Sequence, residues 1–214
     1  MHRFYADDRG VTGDVAYLCE EDARHATRVL RMKTGENCEL FADGRRFSGE
    51  IASIGDGEVA VRITGEMPST EARLRITLYQ GLPKADKMEL IIQKAVELGV
   101  YQVIPVSTKR CVVKLDDKKA RSKIARWQGI AEAAAKQSKR GIIPQVTDVM
   151  SFKNAVKMAA DMEVRLIPYE LAEGMAKTKE IINNIQPGQR IAIFIGPEGG
   201  SEEAEIQEAL NNGI

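Results

Sequence analysis

The run RIAIFIGPEGGSEEAE, residues 190–205, shows the fold in miniature. Five consecutive apolar residues, Ile191 to Ile195, have the length and composition of a buried strand. Gly196-Pro197-Glu198-Gly199-Gly200 then forces an abrupt turn. Ser201 is placed to cap a helix whose first turn carries Glu202, Glu203 and Glu205, charges suited to the positive end of the helix dipole. A strand ending in a glycine-rich turn at a helix start brings bare main-chain N–H and C=O groups up to a small ligand. A plain strand-to-helix connection would look similar. The carboxylate of Glu198, set among glycines, favours a ligand site.

Upstream of this unit the same grammar repeats. Leu74–Gln80 reads as a strand, and Asp86–Leu98 as a helix with Met88, Ile91, Ile92, Ala95 and Leu98 as its buried stripe and Gly99 as its stop. Val100–Val106 (strand), Lys118–Ser138 (long helix), Gln145–Val149 (strand), Phe152–Met162 (helix), Val164–Pro168 (strand) and Lys177–Asn184 (helix) follow. Alternating strands and helices imply a parallel sheet wrapped on both faces, with ligands at the carboxyl ends of its strands. Three such ends carry informative residues: Gln80 to Lys84, Pro168 to Glu170, and the Gly196–Gly200 turn.

The first 68 residues read differently. Cys38–Phe41, Arg46–Ile54 and Val59–Thr64 are short alternating runs split by Asp43-Gly44 and Gly55-Asp56-Gly57, the pattern of hairpins in a small barrel. A short helix is expected over Glu21–Val29, with Ala23, Ala26, Val29 and Leu30 on one face. Met67-Pro68-Ser69-Thr70 breaks the pattern, so the chain divides into 1–70 and 71–214.

The 214 residues carry no net charge, yet the charge is uneven. Residues 1–72 hold 9 Lys/Arg against 14 Asp/Glu, residues 73–145 hold 16 against 6, and residues 146–214 hold 6 against 11. Concentrating cations in the middle third suits a polyanion, although DDKKARSKIARW is partly a solvated helix face. Three widely spaced cysteines without a CxxC, and two histidines without an HxxxH, indicate neither a disulfide framework nor a metal site. No run is long enough to span a bilayer and the N-terminus carries no apolar signal, so a reducing cytoplasm is the expected location. Absence of GxxxxGK[ST], GxGxxG and GxSxG argues against ATPase, classical dehydrogenase and serine-hydrolase chemistry.

Lys84 and Lys87 sit near a helix start, where they oppose the dipole unless they serve an anion such as an RNA phosphate. Lys109, Arg110 and Lys114 follow another strand, and Gln137, Ser138, Lys139 and Arg140 close the long helix. The Gln-Ser pair is able to hydrogen-bond a base edge.

HRFY at the start, HATRVLRMKTGE (25–36), QGLPKADKMELIIQKAVELGV (80–100), RCVVK (110–114), RWQGIAEAAAKQSKR (126–140), IPQV (143–146) and IGPEGG (195–200) together resemble the RsmE family, covering nearly the whole chain. Members are SPOUT-class enzymes that methylate N3 of a uridine in 16S ribosomal RNA using S-adenosylmethionine. The resemblance implies an N-terminal PUA-like barrel, a C-terminal parallel-sheet α/β domain with a trefoil knot, and a homodimer acting on small-subunit RNA without metal. It implies cofactor contacts from Ile195, Gly196, Pro197, Glu198 and Gly199, and from Pro168, Tyr169, Glu170 and Leu171. Arg3, His25, Arg31, Lys84, Arg110, Gln137, Ser138 and Arg140 would face RNA. Arg140 or Arg110 would stabilise charge on the base, and Glu198 would either accept a proton or fix main-chain N–H groups.

Two departures stand out: Ser201 replaces the aromatic or aliphatic residue usual after IGPEGG, and the family's closing LGxRILRxETA segment is absent. The sequence is therefore expected to be an incomplete record of the natural chain. Two other readings remain at this point: a non-catalytic RNA-binding protein with a degenerate cofactor pocket, and a metabolic enzyme that binds a free nucleotide at the Gly196 turn.

Overall fold

The computed structural model describes residues 1–111, 116–169 and 176–214. These form two compact units, Met1–Glu71 with Lys139–Ile142, and Ala72–Ser138 with Ile143–Ile214.

In the first unit, β1 (His2–Thr12), β2 (Val15–Leu18), β3 (Asn37–Ala42), β4 (Arg45–Gly55) and β5 (Glu58–Met67) close a barrel in the order β1-β2-β5-β4-β3. The β1–β3 pair is parallel and closes the ring; the other pairs are antiparallel. Both sequence-marked turns adopt the left-handed pairs that tight hairpins need, Asp43 and Gly44 at φ 52° and 70°, Asp56 and Gly57 at 51° and 82°. The first two strands escape the hydrophobic pattern because Asp7, Asp8 and Arg9 interrupt β1 where its register slips between Ala6 and Val11. Phe4, Leu18, Leu40, Phe47, Ile51, Val59 and Val61 fill the barrel.

The helix expected over Glu21–Val29 is two pieces. Helix α1 (Glu20–Arg24) passes into a wider π-helical turn, His25–Val29, closed by the Leu30 N–H donating to the His25 carbonyl at 3.0 Å. The extra residue per turn rotates Val29 out of the shared face, and it is 65% exposed while Ala23 and Ala26 stay buried.

One carboxylate ties the distant segment 139–142 into this unit. Glu71 takes the Arg140 guanidinium at 2.7 Å and accepts the Gly141 and Ile142 N–H groups at 2.7 and 3.2 Å. The Tyr5 hydroxyl donates to the Arg140 carbonyl, and burial pushes that phenol up to about 12. Gly141 has no room for a side chain, since a Cβ there would lie 2.9 Å from the Phe41 ring.

In the second unit, β6 (Arg75–Gly81), β7 (Gln102–Ser107), β8 (Gln145–Val146), β9 (Met150–Ser151), β10 (Val164–Leu166) and β11 (Arg190–Ile195) form a parallel sheet. Its order is β10-β11-β6-β7-β8, with β9 also on β7. The strand expected over Gln145–Val149 is only Gln145–Val146, and a second short pairing, Met150–Ser151, follows it. The helices are α2 (Lys87–Glu97), α3 (Asp117–Gln137), α4 (Phe152–Ala159), α5 (Ala176–Asn183) and α6 (Glu203–Asn211). Neighbouring strand residues feed opposite faces: Val103 packs with Met88, Ile92, Val96, Trp127 and Ala131, whereas Ile104 packs with Tyr79, Phe152, Val156, Phe194 and Ala209. Helices α2 and α3 therefore cover one face, and α4 and α6 the other. On α2 the buried stripe runs through Val96; Leu98, beyond the helix end, is 86% exposed, contrary to the expected stripe.

Breaking the Glu71 link removes the acceptor of two main-chain donors and one partner of the buried Arg140 guanidinium. Glu71→Ala is expected to lower the unfolding free energy by about 3 kcal/mol, read as an earlier urea midpoint for the barrel signal with an unchanged slope.

Candidate functional site

The sheet topology fixes where a ligand can lie. Strands β6 and β11 are neighbours, yet the chain leaves β6 for α2 on one face and leaves β11 for α6 on the other. Loops that part this way open a crevice at the carboxyl ends of the two strands.

Two glycines let the turn pack against the end of β6 and on itself. A Cβ on Gly81, the last residue of β6, would sit 2.8 Å from Pro197 Cδ and 2.9 Å from Pro197 N. A Cβ on Gly196 would meet the Gly200 carbonyl carbon at 3.0 Å and Ser201 Oγ at 3.1 Å. The turn closes through the Gly200 N–H donating to the Pro197 carbonyl at 2.8 Å, with Gly200 at φ 69°. Ser201 remains part of this turn, so the helix cap falls one residue later than the sequence suggests. Glu202 is the N-cap and forms a reciprocal capping box with Glu205.

Side chains brace the turn from two neighbouring strand ends. Glu198 accepts the Lys84 N–H with both carboxylate oxygens at 3.1 Å and pairs with Lys87 Nζ at 2.9 Å. The Lys87 ammonium, and then the N–H groups of Glu198 itself and Lys84, hold its carboxyl down to about 2. Arg110 donates to the Gly199 carbonyl at 2.7 Å. Glu205, only 4% exposed, accepts the Lys109 N–H at 2.9 Å and the Glu202 N–H at 3.3 Å, while Lys109 Nζ lies 3.0 Å from Glu202. The loops after β6 and β7 are thereby stitched to the loop after β11.

The expected site residues separate accordingly. Ile195, Gly196, Pro197, Glu198, Gly199, Lys84 and Arg110 come together at the crevice. Pro168 and Tyr169 follow β10, the next strand of the sheet; Glu170, Leu171 and Lys114 lie outside the described residues. Gln137 is exposed at the end of α3, and the Ser138 hydroxyl is turned back to the Ala134 carbonyl at 2.7 Å. In the barrel unit, His25 and Arg31 are exposed. Arg3 bonds Glu39 at 2.7 Å, and Arg46 bonds the same carboxylate at 2.7 Å. Burial of Glu39 works against its charge, but Arg46 and Arg3 outweigh it and hold the carboxyl below its ordinary value. Arg140, 8% exposed, pairs with Glu71 within the barrel unit. A carboxyl held at about 2 is a weak base near neutrality, and in the fold Glu198 fixes the Lys84 N–H.

The sequence places Gly81 at an informative strand end and Glu205 in the first turn of a helix without assigning either a role, and does not single out Tyr79. The first two left a faint trace, a glycine at a strand end and a glutamate three residues after a cap. Tyr79 left none, because a buried strand tyrosine resembles any core aromatic. Among the described residues no group of three or more His, Cys, Asp or Glu is arranged to hold a metal, and no helix is long and apolar enough to cross a membrane.

A small barrel joined to a parallel sheet with a braced glycine turn at its switch point matches a class of RNA-modifying proteins. Residues 70–214 match the model of an RNA methyltransferase domain and residues 18–64 that of an RNA methyltransferase PUA domain, and the chain belongs to this RNA methyltransferase family. Ribosomal RNA small subunit methyltransferase E of Bacillus subtilis is 36% identical over 194 residues, 87% of this chain and 75% of that one. The protein of the same description from Mesomycoplasma hyopneumoniae is 34% identical over 100% of this chain and 88% of its own. A crystal structure of a ribosomal RNA small subunit methyltransferase E from Neisseria gonorrhoeae, bound to S-adenosyl methionine, superposes with a TM-score of 0.77 at 31% identity, covering 100% of this chain and 86% of that one.

The braces make two predictions. Because the Glu198 carboxyl lies at about 2 in the fold against an ordinary 4.5, the stability it contributes is complete above about pH 4.5 and lost as the pH falls toward 2. The urea midpoint of Glu198→Gln should lie below wild type by a constant amount above pH 5, and the gap should close in acid. Gly81→Ala must displace the Pro197 main chain and should cost about 1–3 kcal/mol of stability, measured by the same titration.

Proposed function

We propose that this protein transfers a methyl group from S-adenosylmethionine to N3 of a uridine in the 16S RNA of the small ribosomal subunit. The observation that carries the reading is the glycine turn at the switch point, braced by Glu198, Arg110 and Glu205 in a chain whose relatives are ribosomal RNA methyltransferases. The turn suits close approach of main-chain groups to the cofactor: Gly81 admits Pro197, and Gly196 admits Gly200 and Ser201, where side chains would clash, and the space beneath has apolar walls. Ile195, Gly196, Pro197, Glu198 and Gly199 would hold it with their main chain, together with Pro168 and Tyr169 after β10 and, from the family resemblance, Glu170 and Leu171.

When bound, this cofactor supplies a sulfonium methyl group for in-line displacement. The protein's part is alignment, which converts a bimolecular encounter into an oriented one. Uracil N3 must lose its proton before or during attack, leaving negative charge on O2 and O4. Arg110 is exposed beside the turn, and its bond to Gly199 keeps its cation there to meet that charge. Glu198 positions the loop after β6 and holds no proton to exchange.

Lys84 at the end of β6 supplies a phosphate contact, with Gln137 and Ser138 at the end of α3 and Arg3, His25 and Arg31 on the barrel. Few such contacts bind weakly at physiological salt, so an assembled subunit is the expected substrate, with the uridine unstacked to expose N3. The family resemblance adds a homodimer, for which the outward Leu90 and Leu98, 58% and 86% exposed, offer apolar surface.

Small subunits lacking the modification, incubated with protein and tritiated cofactor, should gain one methyl group per RNA, identified by mass spectrometry of the nucleosides as N3-methyluridine. Arg110→Ala should lower turnover by about 10², whereas Lys84→Ala should chiefly raise KM for the subunit. Label on a base carbon or a ribose hydroxyl would refute the N3 assignment, and no label in any RNA would refute methyl transfer.

A further inference from the structure

The loop that carries Arg110 is a tight turn, Thr108-Lys109-Arg110-Cys111, directly after β7. The Cys111 N–H donates to the Thr108 carbonyl at 3.1 Å, which makes it a β-turn with Lys109 and Arg110 at its centre. The Cys111 thiol closes the same turn through its side chain, with Sγ 3.4 Å from the Thr108 N–H nitrogen and 3.1 Å from the Thr108 hydroxyl. Glu205 reaches this turn from α6. It is 4% exposed, and its Oε1 accepts the Lys109 N–H at 2.9 Å. Its Oε2 accepts the Glu202 N–H at 3.3 Å, within the capping box of the helix.

A capping box asks only one oxygen of its acid. The other oxygen of Glu205 is directed to Lys109, the residue immediately before Arg110, and so ties the root of Arg110 to a helix. Arg110 itself runs over the glycine turn. A Cβ on Gly199 would lie 3.9 Å from Arg110 Cβ and Cδ, and the Arg110 guanidinium donates to the Gly199 carbonyl at 2.7 Å. A long side chain with many rotamers can reach one carbonyl from many main-chain positions. That bond alone therefore does not set where the cation stands. The sheet gives the turn no ladder partner either, because β7 ends at Ser107. Glu205 supplies the anchor.

We propose that Glu205 is a positioning residue for methyl transfer: by holding the Lys109 N–H it fixes the Thr108–Cys111 turn, and so sets where Arg110 presents its charge to the base. The inference rests on the methyl-transfer reading with Arg110 as its charge stabiliser, and adds a buried residue that acts only through another. Arg110 answers charge that develops during transfer, so the loss of Glu205 falls on kcat and spares KM for the small subunit.

Glu205→Met keeps the length of the side chain and removes both acceptor oxygens. Lys109→Pro removes the donor instead, at a turn position that accepts proline, and decides the matter if the first variant does not fold. Each is made in wild type and in Arg110→Ala, and methyl transfer to small subunits lacking the modification is followed with tritiated S-adenosylmethionine. Either change should lower kcat about tenfold in the wild-type background, with KM for the subunit unchanged. Neither should cost anything further once residue 110 is alanine. In the protein without cofactor, amide exchange at Cys111 should be about tenfold faster in Glu205→Met than in wild type. An equal loss of kcat in both backgrounds would overturn the inference, since Glu205 would then act by general destabilisation. Wild-type kcat in the variants, unchanged exchange at Cys111, or full turnover by Arg110→Ala would overturn it as well. All of these leave methyl transfer intact, whereas a wild-type protein that transfers no methyl group overturns the underlying reading.

Discussion

The site depends on one contact, the carboxylate of Glu198 on the main-chain N–H of Lys84. It joins the loop after the first strand of the sheet to the loop after the last, two segments more than a hundred residues apart in sequence that lie side by side because β6 and β11 pair in parallel. Without it the glycine turn would be a flexible connection, since glycines impose little conformation of their own. With it, and with Arg110 on the Gly199 carbonyl, the turn is held at both ends of its glutamate-glycine segment. A pocket for a methyl donor needs that rigidity, for displacement at carbon tolerates little error in the position of the reacting atoms.

Carboxylates recur as anchors for main-chain donors in both units. Glu71 gathers Arg140 and two N–H groups, Asp22 accepts the Tyr5 N–H at 2.6 Å, and Glu205 bridges Lys109 to the start of α6. Glu71 and Glu205 satisfy donors that loops leave unpaired, and Asp22 does the same for an N–H of strand β1. Glu205 shows how far this goes: buried, it accepts from two loops at once and sits in the first turn of a helix, whose dipole also favours it.

This use of charge changes the meaning of the basic middle third. Its excess of lysine and arginine is not simply laid out for a polyanion. Lys87, Lys109 and Arg110 each answer a partner within the sheet unit, and Arg140 answers Glu71 within the barrel unit. What faces outward is therefore smaller than the sequence count suggests, consistent with a protein that relies on a structured RNA rather than on a large electrostatic field.

The sequence by itself determined the two-part architecture, the parallel sheet and the glycine turn, because strand and helix periodicities, Asp-Gly hairpins and glycine punctuation are local properties. It also marked Glu198 and Arg110 as residues of interest. Only the tertiary structure decided what these residues do. Glu198 became a clamp because β6 lies beside β11, Arg140 a tether because Glu71 reaches it, and Gly81 obligatory because Pro197 packs on it. Each role arises from a partner distant in the chain, and pairings of that kind are set by how strands order in a sheet, which no local pattern encodes.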